Sequence, residues 1–244
     1  SVVVSNGEEK TNLTDPAETV EKLSQDKAIS VADRLENESE PCLIIGADTV
    51  VAFEGKILGI VPKSYIPNYS EFYEKRWFTA AAMLTDELVA LPFQENIPFG
   101  TNLIFAAGDY KFGIEICEDL WVTIPPSSYL SLLGANIIGN LSASNELVSK
   151  KDYRLSLIAN QSARCMSSYI YSSAGVHEST TDLLFSGHLV ISENGTILKE
   201  NNRFQRENEV ITSCIDVFKL NAERLKNLSY RDASKIVPFK AKNV

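Results

Sequence analysis

Histidine is nearly absent from this chain: 244 residues hold two, His177 and His188, and the four cysteines (Cys42, Cys117, Cys165, Cys214) form no Cys-x-x-Cys pair. Neither a zinc site nor a disulfide framework is expected from so sparse a set. Positive charge is also in deficit, with 23 lysines and arginines against 32 aspartates and glutamates and a net charge of −9. The chain therefore lacks the basic face that nucleic acid or an anionic membrane surface demands of its main partner. No window approaches the roughly 18 uninterrupted apolar residues of a membrane span, and the opening "SVVVSNGEEK" has neither the basic start nor the apolar core of a secretory leader. A cytoplasmic protein that acts on a small molecule or another protein is the reading that remains.

What is present is a full core: 44% of the residues are hydrophobic. Residues 1–40 are polar; "PAETVEKLSQ" has a helical pattern and "ENESEP" reads as a solvated linker, so this segment is set apart from a domain over 41–244. From Cys42 onward β-type runs recur: "CLIIGA", "TVVAF", "ILGIV", "NLIFAA", "FGIEIC", "NIIGNL", "SSYIYSS", "HLVIS" and "EVITSCI". Between them the spacing predicts a helix over 151–166, where Leu155, Ile158, Ala159, Ser162 and Cys165 share one face and bury Cys165. Strands mixed with helices in this order indicate an α/β fold layered around a sheet.

One cysteine stands apart. "KFGIEIC" reads as a strand with Phe112, Ile114 and Ile116 on one face, and "EDLW" begins a turn or short helix whose first peptide N–H groups have no partner within it. A thiol at that strand end, Cys117, sits beside donors able to hold an oxyanion and to favour thiolate. Glu118 and Asp119 oppose that ionisation, so a cation has to offset them or they must cap the turn and point away from the sulfur. Lys63 in "GIVPKSYIPNY", just past a strand exit, is the candidate cation.

The segments "VPKSYIPNYSEFYEKRWF", "GIEICEDLW", "NLSASNE" and "HESTTDLLFSGHLVISENG", in that order, closely resemble the glutaminase domains of glutamine-dependent NAD synthetases, members of the nitrilase (carbon–nitrogen hydrolase) superfamily. The resemblance runs from Leu43 to Val217. It implies a four-layer α-β-β-α sandwich and a cysteine amidohydrolase that takes ammonia from glutamine for NAD synthesis. Cys117 matches the nucleophile, Lys63 the lysine beside the oxyanion and Glu74 a second carboxylate near the site. Tyr69 and Ser144 match glutamine-binding positions, and the peptide N–H of Glu118 matches part of the oxyanion hole. No cofactor is implied in this domain: ATP and magnesium belong to a synthetase domain, in the same native chain or in trans, and a homo-oligomer is implied.

The chain departs from the family in three places. The family's general-base glutamate lies on an early strand upstream of the lysine, and none of Glu8, Glu9, Glu18, Glu21, Glu36, Glu38 or Glu40 ends an apolar strand. The stretch "IIGADTVVAFEG" is short, and the synthetase domain with its ATP loop is absent. A piece of a longer protein or a degenerate relative is implied, with slow turnover for want of the base. Amidase action on another small amide and a catalytically silent scaffold are the alternatives. Trp77 and Phe78 are expected to pack, His177 to be structural or at the substrate's edge, and Glu178–Asp182 to form a loop.

Overall fold

The computed structural model describes residues 44–45, 50–53, 56–76, 78–82, 87–91 and 94–244. The helix and linker expected within residues 1–40, Cys42 and Trp77 lie outside the described residues. Two sheets make the frame. The first contains β1 (Ile44–Ile45), β2 (Val50–Phe53), β3 (Lys56–Ile60), β4 (Glu87–Leu91) and β5 (Gln94–Phe99), in the order β1-β2-β3-β5-β4. The second contains β6 (Leu103–Ala107), β7 (Tyr110–Ile116), β8 (Ile137–Ser142), β9 (Ser168–Ser173), β10 (Leu189–Glu193), β11 (Thr196–Glu200) and β12 (Lys242–Asn243), in the order β11-β10-β9-β8-β7-β6-β12. At its centre β7, β8 and β9 run parallel, so their carboxyl ends open on one side. That side is where α/β sheets gather functional loops.

Apolar side chains from both sheets fill the space between them: Val51 and Val61 from the first meet Leu103, Phe105 and Ile114 from the second. The approach is close at Gly59, where an added Cβ would sit 2.9 Å from Cδ1 of Leu103. The outer face of the second sheet is covered by helices α1 (Pro126–Leu132) and α2 (Lys150–Cys165). α2 lies over the expected segment and buries Ile158, Ser162 and Cys165 as the spacing required, with Arg154 and Gln161 beside them. Helix, sheet and sheet make three layers of the expected α-β-β-α sandwich; among the described residues no α-helix lies over the first sheet. Helices α3 (Val217–Lys226) and α4 (Leu228–Ser234) complete the fold, and among the described residues no helix is long and apolar enough to cross a membrane.

Three expectations are corrected. "EVITSCI" forms no strand: residues 208–216 are irregular, and Ile211 and Ile215 lie against Leu189 and Ile191 of β10. The alternation that suggested pairing is met instead by packing side chains against a sheet already formed. Phe78 is 56% exposed rather than packed. Glu118 does not merely cap its turn, as described below. Strands β4, β5 and β11 were not evident from the sequence; β4 is mostly exposed, and β5 contains Pro98 and an Asn96 at φ 56° that interrupt a β-type pattern.

Candidate active site

β7 ends in a short 3-10 helix, Cys117–Leu120. Its first residue, Cys117, has φ 49°, in the left-handed region that costs a residue with a Cβ about 1–2 kcal/mol. Such strain persists only where the surroundings over-determine it. Here Asp119 caps the turn: its Oδ2 accepts the Ile116 N–H at 2.9 Å. The same carboxylate reaches the first sheet's exit loop, accepting the Tyr65 N–H at 2.9 Å and the Ser64 N–H at 3.4 Å. Burial pushes Asp119 up to about 7; the Ile116 N–H opposes this and the charge of Glu115 adds to it.

Lys63 leads that exit loop and pairs with Glu74 Oε2 at 3.5 Å. Glu74 opens the short helix Glu74–Arg76, which brings it back over the loop. Glu118 departs from the capping expectation: its carboxylate accepts the Tyr69 hydroxyl at 2.9 and 3.1 Å and feels the charges of Lys63 and Lys150. Burial raises Glu118 above the usual carboxylate range against those partners. Tyr69 is raised in turn by burial and by its bond to Glu118, and it stands within electrostatic reach of Cys117.

The loop after β8 supplies the opposite wall. Ser144 and Asn145 are buried; the Asn145 amide donates to Glu71, and its Oδ1 accepts Lys150 Nζ at 2.5 Å. Lys150 opens α2, lies 5.1 Å from the centre of the Trp121 ring and interacts electrostatically with Cys117. Burial and the neighbouring Arg154 charge lower its pKa. Its position at a helix N-terminus beside a second cation is unfavourable, and the charges of Glu71 and Glu146 offset it. Below it, Arg154 is fully buried and donates to Glu146 at 2.6 Å and to His188 Nδ1 at 2.8 Å, while Arg203 and Ser186 also bind Glu146. This network ties the loop after β8 to α2 and β10.

The structure thus ties Lys63 to Glu74, Tyr69 to Glu118 and, through Asp119, the exit loop to the turn that begins at Cys117, while Ser144 is buried in the loop after β8. His177 instead bonds the Arg206 carbonyl at 3.0 Å, and the Glu178–Asp182 segment closes on itself through Thr180. Cys165 is buried, its thiol pushed up to about 11, and Cys214 is exposed. Sequence reasoning missed two charged groups. Lys150 sits in the run "SKKDYR", which resembles a solvated helix start; the signal was a lysine pair where a helix disfavours cations. Glu115, fully buried, accepts the Tyr169 hydroxyl and the Ser127 N–H (2.8 Å), and burial raises its pKa. A glutamate inside an otherwise apolar strand was its signal.

The Lys63–Glu74 pair and the strained turn that begins at Cys117 thus belong to two segments joined by the Asp119 carboxylate. The carbon–nitrogen hydrolase family model matches residues 17–222, and the chain belongs to that family. It is 36% identical over 229 residues to a glutamine-dependent NAD(+) synthetase of Mycobacterium leprae, covering 88% of this chain and 32% of that protein. A Rattus norvegicus glutamine-dependent NAD(+) synthetase is 30% identical over 200 residues, 78% of this chain and 27% of the relative. Among solved structures, the Acinetobacter baumannii glutamine-dependent NAD+ synthetase in complex with ADP aligns at TM-score 0.53 and 26% identity, covering 65% of this chain and 26% of that one. A Helicobacter pylori G27 carbon–nitrogen hydrolase shares the fold at TM-score 0.56 and 20% identity, over 75% and 61% of the two chains. The chain spans about a third of the length of the curated relatives it matches.

Proposed function

We propose that this chain is the glutamine-hydrolysing domain of an enzyme that uses the released ammonia to make NAD from its deamido precursor. The convergence of Lys63, Glu74, Glu118, Tyr69 and Lys150 on the turn that carries Cys117 is the observation behind this reading. The Cys117 thiolate adds to the glutamine carboxamide carbon, and the resulting oxyanion is held by Lys63 and the Glu118 peptide N–H. Collapse with proton transfer to nitrogen expels ammonia and leaves a glutamyl thioester, which water cleaves to glutamate. A carboxylate takes the thiol proton and later activates that water; Glu74, paired with Lys63, is the first candidate. The Glu118 carboxylate suits glutamine's α-ammonium and Lys150 its α-carboxylate, with Tyr69 and Ser144 closing the pocket. ATP and magnesium fall to a synthetase domain of the native chain, no cofactor to this domain, and the whole acts as a cytoplasmic homo-oligomer.

The test is ammonia release from glutamine by the full-length protein. Glutamate and ammonia should appear in equal amounts and vanish with Cys117→Ala. Faster turnover of simple amides such as propionamide, or undiminished turnover in the alanine variant, contradicts the proposal.

A further inference from the structure

Lys63 and Cys117 come from different sheets, Lys63 from the exit of β3 and Cys117 from the end of β7. No ladder of strand hydrogen bonds therefore sets their separation. The apolar contacts between the sheets hold them together but have no direction. The Lys63–Glu74 bond is long at 3.5 Å and Glu74 is 35% exposed, too loose to fix the ammonium by itself.

Besides the Tyr69–Glu118 hydrogen bonds, made by an exposed tyrosine six residues beyond Lys63, one buried directional link crosses between the two segments. The Asp119 carboxylate, 1% exposed, accepts the N–H of Tyr65 at 2.9 Å and of Ser64 at 3.4 Å on one side, and of Ile116 at 2.9 Å on the other. Ser64 follows Lys63 directly, and Ile116 directly precedes Cys117. We infer that Asp119 is a positioning residue, a buried carboxylate that fixes the Lys63 ammonium against the Cys117 thiol by gripping the backbone beside each. The inference rests on the glutaminase reading of the site.

The chemistry suits the task. Above about pH 7, where it is ionised, the carboxylate offers only acceptor sites, enough for all three N–H groups at once. Buried here, those bonds meet little competition from water, and the Ile116 bond also helps hold Cys117 at its left-handed φ. The ionisable groups that bear on Asp119 are the Glu115 carboxylate of β7 and the Tyr65 phenol of the exit loop. An asparagine keeps the shape but turns an NH2 toward at least one of the three donors. The expected result is a shifted Lys63 over a thiol still in place.

A double-mutant cycle on glutamine hydrolysis by the full-length protein reads this directly. Lys63→Met should lower kcat on the order of a hundredfold in the native background, the size of one lost oxyanion donor. In the Asp119→Asn background it should cost less than about fivefold, because the lysine is already displaced. Asp119→Asn alone should lower kcat with little change in KM and leave Cys117 open to iodoacetamide. Equal costs of Lys63→Met in both backgrounds overturn the inference while leaving the glutaminase reading intact. If the asparagine variant does not fold, Asp119→Glu enters the same cycle, and loss of fold in both assigns Asp119 a structural role and overturns the inference too. A native protein without Cys117-dependent glutamine hydrolysis removes the functional reading and this inference with it, before any variant is compared.

Discussion

His188 shows how a single side chain near the site ties charge to stability. Arg154 donates to its Nδ1, so the ring proton sits on Nε2 and points to Glu200 at 3.1 Å. Burial and the Arg154 charge push the imidazole down to about 4 from 6.5. Between pH 6.5 and 4 the unfolded chain therefore binds a proton at His188 that the folded one refuses, and the folded state loses stability on acidification, on the order of 3 kcal/mol in full. Asp119 works in the opposite sense, because its pKa is raised: its contribution is lost as pH climbs from about 4 to about 7. The melting-temperature deficit of His188→Asn against the native protein should be largest near pH 8 and shrink as pH falls through that window. A deficit that stays constant down to pH 4 would contradict the assignment. Of the residues around the site, Cys117 could be singled out from its strand-end position and Lys63 offered as a cation from its place past a strand exit, whereas Glu74, Tyr69 and Ser144 rested on resemblance alone. Lys150, Glu115 and the Tyr69–Glu118 bond were not legible, because each depends on which distant segment packs opposite.

At the scale of elements, Arg224 of α3 is the fastening that the sequence concealed. Its guanidinium donates to the carbonyls of Ala135 (2.6 Å), Cys165 (2.9 Å) and Met166 (3.1 Å), joining the end of α2 to the turn before β8. A positive group there also complements the carbonyl end of α2. Arg224→Met keeps much of the apolar stem and strips the donors, leaving buried carbonyls unmet at about 1–3 kcal/mol each before relaxation. The variant should melt several degrees lower, with glutamine KM unchanged, and Arg224→Lys should recover only part, since an ammonium lacks the planar fork. Equal melting temperatures for native and Arg224→Met would remove the fastening role. The helix α2 was legible because its apolar face repeats over four turns. The edge strands β4 and β11 were not, since exposed strands carry polar residues and little alternation, and β5, paired between β3 and β4, is interrupted by Pro98 and the left-handed Asn96. "EVITSCI" misled for the converse reason: a segment can alternate while lying across a sheet.

At the scale of the whole molecule, the site exists because two sheets bring one side chain each to a common mouth. Lys63 leaves the first sheet, Cys117 leaves the second, and the apolar layer of Val51, Val61, Leu103, Phe105 and Ile114 presses the two together. The helices on the second sheet add Lys150 and the Arg154 network beneath the loop after β8. Composition and strand order could indicate layers of α and β, yet the pairing of two separate sheets follows from contacts distant in sequence, so only the resemblance to carbon–nitrogen hydrolases anticipated it. The most direct measurement is covalent capture: treat the full-length protein with a γ-diazoketone analogue of glutamine and locate the adduct by intact mass and peptide mapping. One adduct is predicted, on Cys117, protected by glutamine, with Cys42, Cys165 and Cys214 untouched. An adduct mainly on another cysteine, or on Cys117 without protection by glutamine, would contradict it.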